Sequence, residues 1–283
     1  MTLDLNEVQA YRDFRTDETP RYIDQMPLLL SGKNLDGNVI DVPRIPVQVA
    51  HIFERRIHSQ KPDWMNNWFD TVDGIVLPAK GAYAEGKFKI RKNSDSLRAV
   101  TPASADTLIK GGIVHDSYET VHGVEFIVDK DIIVNRDMTK DEALNNPALL
   151  EVLGGDGSFR DAVVDKIFYE GKKQFNYDTM MGIYLPSQLK QAHERAFVVD
   201  GLDNWSGLGG RDDLHGGFGR LVGYRAPEAP CLKSSEAGAK NFAKEITVRT
   251  LLEETNQTSA YAPDQITKLQ NILEQKGYTL SRK

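Results

Sequence analysis

Residues 197–225 read FVVDGLDNWSGLGGRDDLHGGFGRLVGYR, and the fold turns on how this stretch is understood. Phe197-Val198-Val199 and Leu221-Val222-Gly223-Tyr224 are apolar and strand-like, and the residues between them follow neither a helical nor an alternating period. The intervening run is therefore a loop, rich in glycine (207, 209, 210, 216, 217 and 219) and in turn-forming Asp203, Asn204, Asp212 and Asp213. Trp205, Leu208, Leu214 and Phe218 are interspersed through it. A solvated linker has no use for bulky apolar side chains, so the loop is ordered.

Lys, Glu, Gln and Met are absent from the stretch. By proportion with the whole chain roughly five would be expected. Charge is carried by Asp and Arg, beside His, Asn, Ser, Gly, Phe, Tyr and Trp, a set close to that of an antibody combining loop. The composition points to recognition.

Outside this stretch the chain reads as a globular protein of 283 residues, long enough to bury a substantial core. A net charge of -6 weighs against a nucleic-acid partner, which wants a concentrated basic face. Lys87, Lys89, Arg91 and Lys92 form the densest basic cluster, and their alternation predicts a solvated strand face. The single cysteine, Cys231, allows no intramolecular disulfide and no multi-cysteine zinc site. The first residues lack a signal peptide's basic and apolar regions, and no run approaches the ~20 apolar residues of a membrane span. The expectation is a cytoplasmic protein without membrane insertion, with surface display through a partner left open.

Short elements of both kinds are predicted along the chain. Helices are expected over residues 5–16, 21–30, 47–58 and 158–173, around Trp64, Trp68 and Phe69, and in short pieces at 104–109 and 187–194. The Thr139-x-x-Glu142 pattern predicts a capped helix start. Strands are expected at 38–42, 74–77, 81–90, 97–100, 121–128, 131–134 and 180–185. With no βαβ rhythm the mixture predicts an α+β fold.

Several chemistries were weighed against these residues. His115, Asp116, Glu119 and His122 offer imidazoles and carboxylates within eight residues, the makings of a metal-dependent enzyme if folded as a turn, although their spacing fits no helix-based zinc motif. His51, Glu54 and His58 share a helical face and read as helix surface. The glycines lack dinucleotide- and phosphate-loop spacing, and the aspartates lack that of an EF-hand. Ser206, His215 and Asp212 are common residues in a polar loop and do not make a triad. No catalytic residue, metal or cofactor is expected.

Gly201-Leu202, Ser206, Gly210, Leu214 and Gly219-Arg220-Leu221-Val222-Gly223, with chemically mixed residues between these points, resemble the variable region of the variable proteins of diversity-generating retroelements, in particular archaeal ones. The resemblance covers about thirty residues. It implies a C-type lectin fold of the formylglycine-generating-enzyme-like subclass, in which Gly219-Arg220-Leu221-Val222 is the closing core strand. In that family a reverse transcriptase miscopies template adenines. An Asn codon randomised at its first two bases can encode Asn, Asp, Gly, Ser, Arg, His, Leu, Phe and Tyr among others, and never Lys, Glu, Gln, Met or Trp.

The resemblance thus implies a binding scaffold for an unknown target, a protein or another ligand, with Asp203, Asn204, Trp205, Gly207, Leu208, Gly209, Arg211, Asp212, Asp213, His215, Gly216, Gly217 and Phe218 as its ligand-binding residues. Trp205, Arg211 and Phe218 would be the energetic anchors. Residues 1–230 would be the lectin-like domain and 231–283 a helical extension, which departs from relatives where the variable region ends the protein. A lectin-like domain of fixed specificity is a third possibility beside the metal-dependent enzyme.

Overall fold

The structure, a computed structural model, describes residues 10–34, 36–81, 86–210, 214–216 and 219–225. Its elements begin with β1 (Tyr11–Asp13), α1 (Tyr22–Ser31), β2 (Ile45–Pro46), α2 (Val49–His58) and α3 (Asp63–Asn66). The middle carries β3 (Phe69–Leu77), β4 (Lys87–Arg91), α4 (Asp95–Arg98), β5 (Ile113–His115) and β6 (Val124–Ile127). Three helices follow, α5 (Lys140–Asn145), α6 (Pro147–Val152) and α7 (Gly157–Phe175). Last come β7 (Ile183–Tyr184), β8 (Ala192–Val199), β9 (Leu208–Gly209) and β10 (Arg220–Tyr224).

β3 is buried along its whole length because both faces of the sheet are covered. Phe69, Ile75 and Leu77 join one core with Ile52 and Phe53 of α2 and Val163, Val164 and Ile167 of α7. Val72 faces a second core built from Tyr22, Met26 and Leu29 of α1 with Leu221. β8 runs antiparallel to β3, with an irregularity of register between Asp70 and Gly74. β3 also pairs parallel with β10, which in turn pairs antiparallel with β1 and β2. The main path through the sheet is β1-β10-β3-β8-β9-β7, so the first and last described strands lie side by side. Helices packed on a mixed sheet without βαβ units make the α+β class observed.

Local chemistry explains where the helices start and stop. Thr139 accepts from the Glu142 amide at 3.3 Å and Glu142 accepts from the Thr139 amide at 2.8 Å, so the expected capping box opens α5. The Arg136 guanidinium and the Thr139 amide hold the Glu142 carboxyl down to about 2. Asp156 caps α7, and Asn176 ends it in a left-handed conformation with φ 60°. At the head of α2 the buried Asp73 carboxylate accepts from the Val49 amide at 3.0 Å and the Lys92 ammonium at 2.9 Å, an anion set against a helix N-terminus.

The structure corrects several expectations. Residues 11–13 are a strand, because β10 offers them a hydrogen-bonding edge; the start of the predicted 5–16 helix lies outside the described residues. Residues 97–100 carry the end of α4, capped by Ser94 Oγ accepting from the Leu97 amide. The predicted helix at 187–194 is irregular and then runs into β8, where His193 and Glu194 are buried between β3 and β5. Residues 38–42 contribute only a bridge from Val39 to Lys33, and 131–134 form no strand.

The basic cluster is not a solvated face. Lys89 is buried and donates to the Tyr118 and Val121 carbonyls at 2.9 Å, while Arg91 and Lys92 pair with the buried Glu194 and Asp73. The domain division at residue 230 and the helical extension lie outside the described residues.

Candidate functional site

After β8 the chain makes a 3₁₀ turn at Leu202–Asn204 and then takes left-handed backbone at two successive non-glycine residues, Trp205 (φ 56°) and Ser206 (φ 47°). This conformation costs on the order of 1 kcal/mol or more per L-residue, so the surrounding structure has to impose it. The Asn204 and Ser206 amides donate to the Gly201 carbonyl at 3.0 and 3.1 Å, and Met181 donates to the Trp205 carbonyl at 2.8 Å. Leu208 and Gly210 donate to Gly182 and Tyr184, which lays β9 against β7.

Beneath the turn lies Arg56 of α2, 1% exposed. Its guanidinium donates to the carbonyls of Trp64 (2.8 Å), Asn67 (3.3 Å) and Asp200 (2.8 Å) and to Ser206 Oγ (3.3 Å). Desolvation pulls its pKa down to about 9, against the opposing fields of Asp200 and Asp203. Every donor atom used here is backbone or a side chain outside residues 203–205, so the hydrogen bonds that shape the loop do not depend on those three side chains.

The structure divides the expected contact residues. Asp203 is exposed, Asn204 is half-buried and Trp205 is 39% exposed. A Cβ at Gly209 would meet nothing within 4 Å, so this position opens onto free space. Leu208 is a correction: it is fully buried in the main core between β7 and β8, and its side chain cannot reach a ligand. Gly207 is corrected too, since it is buried and a Cβ there would lie 2.9 Å from Asp200 Oδ2 and 3.2 Å from the Tyr184 ring. A Cβ at Gly210 would overlap Ile75 Cγ2.

Leu214 is buried with α1, its backbone tied to Gly111 and Ile23, and the half-buried His215 and Gly216 follow it. Arg211, Asp212, Asp213, Gly217 and Phe218 lie outside the described residues.

Two further residues join the Asp203–Trp205 corner. Tyr177 stacks on Trp205 with ring centroids 5.1 Å apart, and Phe175 stacks on Tyr177 at 5.3 Å. The Tyr177 hydroxyl donates to the Asp203 carbonyl at 2.9 Å. Sequence reasoning passed over this pair, although aromatics on either side of a helix-ending Asn176 were a visible signal.

The fixed-looking positions are equally well explained. A Cβ at Gly219 would overlap the Asp70 carboxylate, Arg220 pairs with the buried Asp13 at 2.7 Å, and Leu221 and Val222 are core. A Cβ at Gly223 would lie 2.8 Å from Leu29 and from Arg44. Each residue of Gly-Arg-Leu-Val-Gly is thus set by what it touches.

His115, Asp116, Glu119 and His122 do not gather. His115 Nε2 lies 3.0 Å from the buried Glu194, which also takes Arg91 at 3.0 Å, and among the described residues no group of three or more His, Cys, Asp or Glu side chains is placed to hold a metal. Ser206 Oγ is buried against Arg56, and Asp212 lies outside the described residues. Among the described residues no helix is long and apolar enough to cross a membrane.

No family model matches the chain, and no curated protein matches it in sequence. A solved structure from Nanoarchaeota, described as showing how the C-type lectin fold accommodates massive sequence variation, is similar with a TM-score of 0.53. The likeness covers 77% of this chain and 99% of that one at 16% identity, a level at which it speaks for the fold alone. The chain has a C-type lectin fold, closed by β10 between β1 and β3.

Proposed function

We propose that the chain is a binding protein, the variable protein of a diversity-generating retroelement, which presents Asp203, Asn204, Trp205 and the surface at Gly209 to a protein target. The observation that carries this is the division of positions within one loop. Asp203 and Trp205 are exposed, Asn204 is half-buried and a Cβ at Gly209 would meet open space, while 206, 207, 208 and 210 are interior and belong to the frame. Arg56, Gly201, Met181 and Gly182 hold the backbone from outside the exposed set. A surface meant to vary needs this separation, because contacts that change between copies cannot also carry stability. The similar structure's accommodation of sequence variation supports the same conclusion by analogy of fold.

The test is to sequence the gene's locus and many copies of it from one population. The expected finding is a near-copy of the 197–225 coding stretch beside a reverse-transcriptase gene, with differences at template adenines and amino-acid variation at 203, 204 and 209; Trp205, which an adenine-randomised Asn codon cannot encode, is either template-fixed or derived from a different codon. A locus with no such copy and no variation refutes the proposal and leaves a lectin-like domain of fixed specificity.

A further inference from the structure

Trp205 is the end ring of a three-ring stack. It lies on Tyr177 with planes 27° apart, and Phe175 stacks on Tyr177 with planes 17° apart. Tyr177 is half-buried in this row, and Trp205 remains 39% exposed. The ring is also fixed in direction, because its backbone is pinned in the left-handed region and the Tyr177 hydroxyl holds the carbonyl two residues before it. Little freedom is lost when something settles on such a face.

Charge selects what would settle there. Asp203 is exposed and makes no ion pair among the described residues. Cations of α7 and of the start of α5 are already engaged: Lys172 with Asp178 at 2.7 Å, Lys173 over the Tyr169 ring at 5.7 Å, and Lys140 with Asp165 at 2.7 Å. An open indole face carries negative quadrupolar potential, and tryptophan is the strongest of the aromatic side chains in attracting a cation. A planar guanidinium satisfies both features together, stacking on the ring while donating to a carboxylate, which an ammonium does less well.

We propose that the exposed Trp205 ring, stacked on Tyr177 and two residues after the exposed Asp203, receives an arginine side chain from the protein partner, whose guanidinium also pairs with the Asp203 carboxylate. This rests on the preceding proposal only in taking the Asp203–Trp205 corner as part of the recognition surface.

The experiment uses the full chain labelled with ¹⁵N, with the indole N–H signal of Trp205 assigned by its loss in Trp205→Leu. N-acetyl-arginine amide, its lysine counterpart and the neutral citrulline isostere are titrated separately. The arginine derivative is expected to shift the Trp205 signal in a saturable way, the lysine derivative more weakly and citrulline hardly at all. Asp203→Asn should weaken the arginine response at least about threefold, with the rest of the spectrum unchanged as a check on folding. An equal response to citrulline, or none at Trp205 to any of the three, overturns the assignment; an equal response to lysine overturns the choice of arginine. The locus sequencing is unaffected by any of these results, so the two proposals fail separately.

Discussion

Arg56 donates through Nη2 to the carbonyl of Asp200 at 2.8 Å, linking α2 to the start of the candidate loop across 144 positions of sequence. The same buried group reaches Ser206 on the far side of the turn. Arg56→Leu would leave the Trp64, Asn67 and Asp200 carbonyls without this donor, and the expected loss is about 3 kcal/mol. Urea unfolding measures it. A loss below about 1 kcal/mol would mean the loop is held by something else.

Neighbouring glycines should respond oppositely to the same change. Gly209→Ala is expected to stay within about 0.5 kcal/mol of the parent, because the added methyl meets open space. Gly210→Ala drives a methyl into Ile75 and should cost about 1–3 kcal/mol. Thermal melts of the pair check the division, and equal melting temperatures would erase it.

Trp205 combines a strained backbone with a stacked side chain. Trp205→Gly removes the left-handed strain and the Tyr177 stack together, terms of opposite sign and each of about 1 kcal/mol. The net change in unfolding free energy is expected to be under about 1 kcal/mol. A loss of about 3 kcal/mol or more, the size of a core truncation, would show that position 205 supports the fold.

Acid should act first through histidine. Burial holds His193 down to about 4 in the folded chain against 6.5 when solvated, helped by the charge of Arg195. The unfolded chain therefore takes up the proton first, and stability is complete above pH 6.5 and falls as pH drops toward 4. The fall is worth roughly 3 kcal/mol over the whole window. His51 shifts in the same direction, and Glu142 loses its contribution only below its ordinary 4.5, so pH 6.5 to 4.5 isolates the histidines. In His193→Gln the dependence over that range should flatten.

The sequence made some parts of the fold plain and concealed others, and the difference is physical. The α5 capping box and α7 depend on neighbours in the chain, and β10 carries its own apolar pattern. β8 was concealed because its first half, Ala192-His193-Glu194-Arg195, is polar and buried only through its partners Arg91 and His115. Lys89 misled for the same reason, since its bonds to the Tyr118 and Val121 carbonyls are long-range. Within the loop, Asp203, Asn204 and Trp205 stood out as surface by composition. Leu208 and Gly207 did not stand out as interior, because only the pairing of β9 with β7 and β8 decides which way they face.

The central claim is that a fixed frame carries interchangeable side chains, and a proteolysis-based stability scan of all amino acids at residues 203–210 tests it most directly. The expected result is broad tolerance at 203, 204, 205 and 209, with sharp loss of folded protein at 206, 207, 208 and 210. Equal sensitivity across the eight positions, or tolerance that follows the buried set, would contradict the claim.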